Sequence, residues 1–444
     1  MAVSRKAAAV RLNVERVALP NGLVVLVSEN HSTPSISISA MVRAGSRFED
    51  DENAGLASLA AELIEEGTTT RTSKQIAEAV DSTGGHLMTF GDHQSSRLAV
   101  VALSRDFELV LDIASDVLMN AVFPEDKVRQ QTERRAAQIV SRLDVPRTQA
   151  SDIFNEIVFR GTPQHRPAVG YEANVRRLSR KGIEEFYRRY YVPNNAALAI
   201  AGDIDGNEAI ECVASAFSTW ERARDFVPPD VPRPSLDAQP VEKYVSASKE
   251  QVNVFIGHLG IERKDPDYHA LLVMDTILGS SPGFTSRIPR ILRDEQGLAY
   301  STFANLTSSA GIDPGRFVAY IGTAPTNLDR ARAGLRGEIA RIVEEGVTEE
   351  ELEIAKSYLT GSFVLRFQRN GQVAEFMLEA ETYGLGFDYL EKYPELIRAV
   401  TVEDVNRVTR KHIHPERLTT VVVGPVDEAG RVINKELNES SPTL

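Results

Sequence analysis

Arg293 and Tyr300 stand seven positions apart in Ser286-Arg-Ile-Pro-Arg-Ile-Leu-Arg-Asp-Glu-Gln-Gly-Leu-Ala-Tyr-Ser301. A guanidinium offers a fixed fork of donors and a phenol one hydroxyl; together they can hold a peptide carbonyl and the oxyanion that develops on it. The flanking pattern predicts their placement. Residues 287–296 read as helix, Gly297 as its stop, and residues 300–306 as an alternating strand, which sets a helix end beside a strand start. The segment by itself equally allows a plainer use, with Arg293 capping the helix terminus and Tyr300 packing in the sheet.

Other reactive residue types form weaker patterns. His412 and His414 lie two apart beside Pro415, a spacing that could contribute to a metal site only with a third ligand from elsewhere. Cationic histidines suit a helix C-terminus, and that is the expected use. His86 and His93 flank a strand and a turn without further ligands. The acidic runs 344–351 and 48–52 read as solvated helix starts and loops. Cys212 is the single cysteine, so neither an internal disulfide nor a cysteine-built metal cage can form, and packing as a small apolar residue is expected. No glycine loop of the G-x-x-x-x-G-K type is present.

Sixty-three acidic against fifty basic residues give a net charge of −13 over 444 residues, which argues against a phosphate-backbone partner and favours attraction of basic peptides. The first eleven residues are basic and apolar, but Arg11, Asn13, Glu15 and Arg16 break the run that a secretory signal requires. No uncharged apolar stretch approaches the roughly eighteen residues that span a bilayer. The expectation is a soluble cytoplasmic chain without nucleic-acid or membrane partners, with a frayed tail from Asn438 to Leu444.

The elements that must carry Arg293 and Tyr300 are written twice. Residues 221–240 hold Pro228, Pro229, Pro232, Pro234 and Pro240 and read as an extended linker. On each side, an alternating strand leads through a charged loop into a helix: residues 35–44, 49–52 and 55–66 first, then 251–258, 263–267 and 268–278. Each half then carries a second strand region and long helices, within 107–142 and 328–363. Each closes with an amphipathic helix, a proline turn and an apolar strand ending at glycine, Gly202 and Gly424. The expected fold is α+β: two homologous α/β-sandwich domains with mainly antiparallel sheets, residues 1–224 and 241–444, joined by residues 225–240.

This repeat resembles the pitrilysin and insulinase family of zinc peptidases, in particular mitochondrial processing peptidase subunits and small two-chain bacterial enzymes. Leu19-Pro-Asn-Gly-Leu-Val-Val25, Gly55-Leu-Ala-Ser-Leu-Ala-Ala-Glu-Leu-Ile-Glu-Glu-Gly-Thr68 and the segment 286–301 carry the likeness, which extends over nearly the whole chain. In catalytically complete members the second segment holds His-x-x-Glu-His, where two histidines on one helix face bind zinc and the glutamate activates water. Here those positions are Ser58, Ala61 and Glu62. The family's third ligand, a glutamate in a later long helix, is matched by Gln138. The resemblance therefore implies no catalytic zinc in this chain, with Glu62 left to a solvated or interfacial helix face.

The same resemblance gives Arg293 and Tyr300 the family's arginine and tyrosine positions, as catalytic and substrate-binding residues. It implies a non-zinc subunit that pairs with a homologous chain carrying His-x-x-Glu-His and zinc, the two acting on peptides around a shared chamber. Residues 84–90 correspond to an edge on which family substrates lie extended; no substrate role is assigned to them here. The loop 279–285 is much shorter than the glycine-rich loop of processing-peptidase partners. Two alternatives stand beside this reading: a structural or peptide-binding subunit without catalysis, and an independent hydrolase with other ligands, which the dispersed histidines support least.

Overall fold

The computed structural model describes residues 12–234, 239–281 and 286–433. The frayed-tail expectation, the first eleven residues, part of the linker and most of the loop 279–285 lie outside the described residues. Strands β1 (Glu15–Ala18), β2 (Val24–Glu29), β3 (Ser35–Val42), β4 (His86–Gly91), β5 (Ser96–Leu103) and β6 (Ala196–Gly202) build one sheet, in the order β1-β2-β6-β3-β5-β4. Strands β7 (Glu242–Ser246), β8 (Val252–Leu259), β9 (Ser301–Asn305), β10 (Arg316–Thr323) and β11 (Thr419–Gly424) build the other, in the order β7-β11-β8-β10-β9.

Set β1 aside and the two orders are the same. In each, one pair is parallel, β2 with β6 and β7 with β11, and every other pair is antiparallel. The repeat legible in the sequence is thus a repeat of topology, and the sheets are mainly antiparallel.

The first half supplies helices α1 (Leu56–Leu63), α2 (Ser73–Ser82), α3 (Phe107–Met119), α4 (Glu125–Leu143), α5 (Pro146–Val158), α6 (Glu172–Val175), α7 (Arg180–Tyr190) and α8 (Gly206–Ala216). The second supplies α9 (Tyr268–Asp275), α10 (Leu328–Glu344), α11 (Glu349–Phe363), α12 (Asn370–Tyr383), α13 (Tyr389–Arg398) and α14 (Val402–His412). Two compact units result, each discontinuous in sequence. The first comprises residues through Ile139, Arg166–Val231 and Gly361–Glu395; the second comprises Val140–His165, Pro232–Thr360 and the chain from Leu396.

All strands of the first sheet precede residue 203 and all strands of the second follow residue 241, but helix α5 and, from the other half, helix α12 with most of α13 depart from a linear division at 224 and 241. Helix α12, from the second half of the chain, covers the first sheet: Ala374, Met377 and Leu378 pack on Leu26, Met41, Ala197, Ala199 and Ala201. Helix α5, from the first half, covers the second sheet, with Ala150, Phe154 and Val158 packed on Phe255, Val318, Tyr320, Val421 and Val423. Gly257 makes room for it, since a Cβ there would stand 3.0 Å from the Phe154 ring and 2.0 Å from the Phe317 carbonyl oxygen.

Strand β3 shows why small residues matter on the covered face. Ile36, Ile38 and Ala40 point into the main core, whereas Ser37 and Ser39 face the other way and are nonetheless buried. The Asn370 amide, at the start of α12, donates to the Ser35 carbonyl at 2.9 Å. This alternating strand is buried on both faces. Among the described residues no helix is long and apolar enough to cross a membrane.

Candidate functional site

Helix α1 starts without a side-chain cap of its own: Gly55 precedes it in a left-handed conformation, φ +96°. The cap comes from the acidic loop. Glu49 accepts from the Gly55 amide at 3.0 Å and the Ala57 amide at 2.5 Å, which satisfies donors that a helix start leaves orphaned. Buried Arg166 fastens the same loop, donating to the Glu49 carbonyl at 2.7 Å and to Asp51 at 2.5 Å. Glu49 is therefore a buried structural group rather than the solvated loop residue its sequence context suggests.

On α1, Ser58 and Glu62 occupy i and i+4 on one face, and Ala61 is fully buried. Between Ser58 and Glu62 lies a cation from α4. Arg135, 3% exposed, donates through Nη1 to Ser58 Oγ at 2.8 Å and pairs through Nη2 with Glu62 Oε1 at 2.5 Å. Ser58 Oγ in turn donates to the Ala168 carbonyl at 2.7 Å. Glu62, 38% exposed at its side chain, is partly solvated and is also engaged in this ion pair. Gln138 is exposed on α4.

Zinc, which the family's catalytic members require, does not fit here. The residue set offers a hydroxyl, a methyl group and one carboxylate, and a guanidinium bridges the hydroxyl and the carboxylate. Sequence reasoning missed Arg135, although a signal existed. Val128, Arg135, Ala136 and Ile139 form the buried stripe of α4, and a charge on an apolar stripe marks a buried partner.

Strand β4 is the free edge of the first sheet, paired only with β5. Its end at Gly91 lies against α1, where a Cβ would stand 2.7 Å from Ser58 Cα. Met88 and Phe90 on this strand are 48% and 39% exposed. The edge, the altered motif and Arg135 thus share one neighbourhood of the first unit. His86, exposed on this strand, has no second histidine in its ladder.

Arg293 and Tyr300 belong to the second unit. The helix expected over 287–296 is present, and over Pro289–Glu295 its turns widen to π geometry, a form that recurs at functional sites. Gly297, at φ +63°, ends it, with the Gly297 amide bonded to the Arg293 carbonyl at 3.1 Å. Three residues later Tyr300 leads into the edge strand β9 and is 87% exposed. It does not pack in the sheet, so the plainer use of the tyrosine fails. Arg293 Nε donates to Asp294 Oδ1 at 2.8 Å.

The stretch carrying Arg293 is anchored at its other end. Arg287, 5% exposed, makes a fork to Glu351 at 2.6 and 2.7 Å and donates to the Gly346 carbonyl at 2.8 Å. Part of the acidic run 344–351 thus anchors this stretch instead of being solvated.

His258, His412 and His414 are held in contacts within the second unit. His412 Nε2 lies 2.9 Å from Asp267, which also accepts from Lys411 at 2.7 Å and Arg407 at 2.9 Å. Asp265, Asp267 and His412 are close enough to hold a metal ion, but the cations on Asp267 already neutralise it. Although burial opposes the shift, Lys411, His412 and Arg407 hold Asp267 well below the usual carboxylate range. The His414 amide donates to His258 Nε2 at 3.1 Å, and His258 Nδ1 donates to the Leu259 carbonyl at 2.7 Å. Burial pushes His258 down to about 4, so it is a neutral imidazole.

Three carboxyls are displaced furthest the other way. Burial pushes Glu49 up to about 8 against its two amide donors, Glu65 up to about 7 with Glu66 adding to it, and Asp275 up to about 7. Groups whose folded values exceed their unfolded ones take up protons on folding. Their stabilising contribution is complete below about pH 4 and is lost as pH rises through about 7 to 8. The urea midpoint is therefore expected to be higher at pH 5.5 than at pH 8.5. Combining Glu49→Gln with Asp275→Asn should flatten that slope; a midpoint that rises with pH over this window contradicts the assignment.

Comparisons with known proteins find relatives along nearly the whole chain. The model described as insulinase, peptidase family M16, matches residues 24–170, and the model described as the M16 inactive domain matches residues 177–359. An uncharacterised zinc protease of Mycobacterium leprae is 29% identical over 423 residues, covering 95% of this chain and 94% of that one. The crystal structure of a peptidase M16 inactive domain from Pseudomonas fluorescens matches with a TM-score of 0.88 at 21% identity, covering 95% of this chain and 100% of that one. A chain of complex III2 from Candida albicans matches at 0.77 and 16% identity, covering 96% and 99%. Matched over residues 24–170 by the insulinase model and over residues 177–359 by the inactive-domain model, the chain belongs to peptidase family M16, the insulinase family.

Proposed function

We propose that this chain is the non-zinc subunit of a two-chain metallopeptidase, contributing Arg293 and Tyr300 to a site whose zinc belongs to a homologous partner with an intact His-x-x-Glu-His helix. The observation that carries the reading is the contrast between the two units. The residues at the metal-motif positions hold a guanidinium, while Arg293 lies on an anchored helical stretch and Tyr300 is 87% exposed, the two residues to which the sequence resemblance gives the family's substrate-binding positions. An exposed phenol at the start of a strand contributes little to stability, and its chemistry is that of a donor to a ligand.

In this reading the partner's His-x-x-Glu-His residues would hold a zinc, whose chemistry when bound would be polarisation of the scissile carbonyl and activation of water. Arg293 and Tyr300 hold the peptide carbonyl and donate to the oxyanion as it forms. Substrates are peptides or unfolded segments. The test is reconstitution with a His-x-x-Glu-His chain: peptide cleavage should appear in the mixture and in neither chain alone. A second reading, a non-catalytic structural or peptide-binding subunit, is favoured by the loss of every metal-motif residue. It gives no account of an exposed Tyr300.

A further inference from the structure

We infer that Arg135 is the resident cation of the altered metal position: its guanidinium holds helix α1 to helix α4 as a metal would, and its presence excludes a metal there. Helix α1 presents Ser58 and Glu62 on one face, and Arg135 reaches both, at 2.8 and 2.5 Å. One rigid planar group with several donors thus does what tetrahedral coordination by two helices does elsewhere. The buried charge is compensated on both sides, by the Glu62 carboxylate and by the Ser58 hydroxyl, itself fixed by the Ala168 carbonyl at 2.7 Å.

The flanking contacts repeat the arrangement one turn away. Gln131, four residues before Arg135 on α4, donates to Glu66 Oε1 at 2.7 Å, and Lys127 pairs with Glu66 Oε2 at 2.8 Å. Donors at positions 127, 131 and 135 therefore run along the carboxylates at 66 and 62. The α1–α4 contact is a ladder of cationic and amide donors on acidic acceptors, with Arg135 its most buried rung. A metal at Ser58 and Glu62 would sit beside a fixed guanidinium, and the like-charge repulsion at that distance opposes binding.

The inference concerns this chain by itself and does not depend on a partner, so its failure leaves the two-chain reading to be judged on activity alone. The experiment restores the ligand types with Ser58→His, Ala61→Glu, Glu62→His and Gln138→Glu, once with Arg135 kept and once with Arg135→Ala. Zinc content is then measured after dialysis. Zinc should be retained at about one per chain only where Arg135 is removed. Equal retention in both forms overturns the inference.

Stability in the otherwise native chain supplies a second measurement. Arg135→Met should lower Tm by about 5 °C or more, Arg135→Lys should recover part of that loss, and neither zinc nor a chelator should move the native Tm. Glu62→Gln breaks the same pair from the other side and should lower Tm in the same direction. An unchanged Tm in both Arg135→Met and Glu62→Gln, or a native Tm that rises with zinc and falls with chelator, overturns the inference.

Discussion

Arg293→Ala or Tyr300→Phe is expected to lower turnover of the proposed two-chain peptidase by about two orders of magnitude, with assembly unchanged. The magnitude follows from what one donor to a developing oxyanion contributes, about 100- to 1000-fold in kcat. That the chain's own fold is left intact follows from the structure. Tyr300 is 87% exposed, so removing its hydroxyl takes away no core contact. Arg293 is bonded to its neighbour Asp294, whereas Arg287 supplies the anchor of the stretch through Glu351 and Gly346. Arg293→Lys should recover only part of the rate, because an ammonium cannot reproduce the planar fork. A full rate in both Arg293→Ala and Tyr300→Phe would mean that the chain serves as a scaffold.

The second large effect concerns the exchanged helices. Expressed separately, residues 1–234 and 239–444 should each fail to give a cooperatively folded protein, and co-expression should restore one. The first fragment lacks α12, which exposes Leu26, Met41, Ala197, Ala199 and Ala201. It also breaks the Arg16–Glu381 pair at 2.8 Å and the Arg97–Glu375 pair at 3.0 Å. The second fragment lacks α5, leaving Phe255, Val318, Tyr320, Val421 and Val423 uncovered. Each large apolar side chain buried contributes about 1.5–3 kcal/mol against a net stability of about 5–15 kcal/mol, so the loss of one helix removes most of the margin. Near-ultraviolet circular dichroism and denaturant titration of each fragment check this. Two independently folded, monomeric halves would contradict it.

That outcome also marks what the sequence could reveal. The repeat was legible because it rests on local signals: the alternation in 35–42 and 252–258, the proline turns at Pro193 and Pro415, and the terminal Gly202 and Gly424. The stop at Gly297 and the strand after Tyr300 were legible for the same reason. Helix exchange left no such trace, since the apolar faces of α5 and α12 look alike whichever sheet they cover. The burial of Ser37 and Ser39 was not legible either, because polarity alone does not report a helix packed over small side chains.

In the candidate site, the altered Ser58, Ala61 and Glu62 positions and the Arg293–Tyr300 spacing could be read directly. Arg135, Arg166 and Glu49 could not, because their partners are far away in sequence: Arg135 reaches Ser58 across 77 positions and Arg166 reaches the Glu49 carbonyl across 117. Charged residues default to solvent in a sequence reading, and only tertiary packing shows that these are buried and paired. The acidic loop at residues 49–52 gave its chemistry away only once the uncapped start of α1 was seen.

The central claim is a divided active site, and the most direct measurement is zinc content together with peptide cleavage for this chain alone, for a homologous His-x-x-Glu-His chain alone, and for the two mixed. The account predicts cleavage only in the mixture, with zinc tracking the partner. Stoichiometric zinc and cleavage in this chain alone would contradict it.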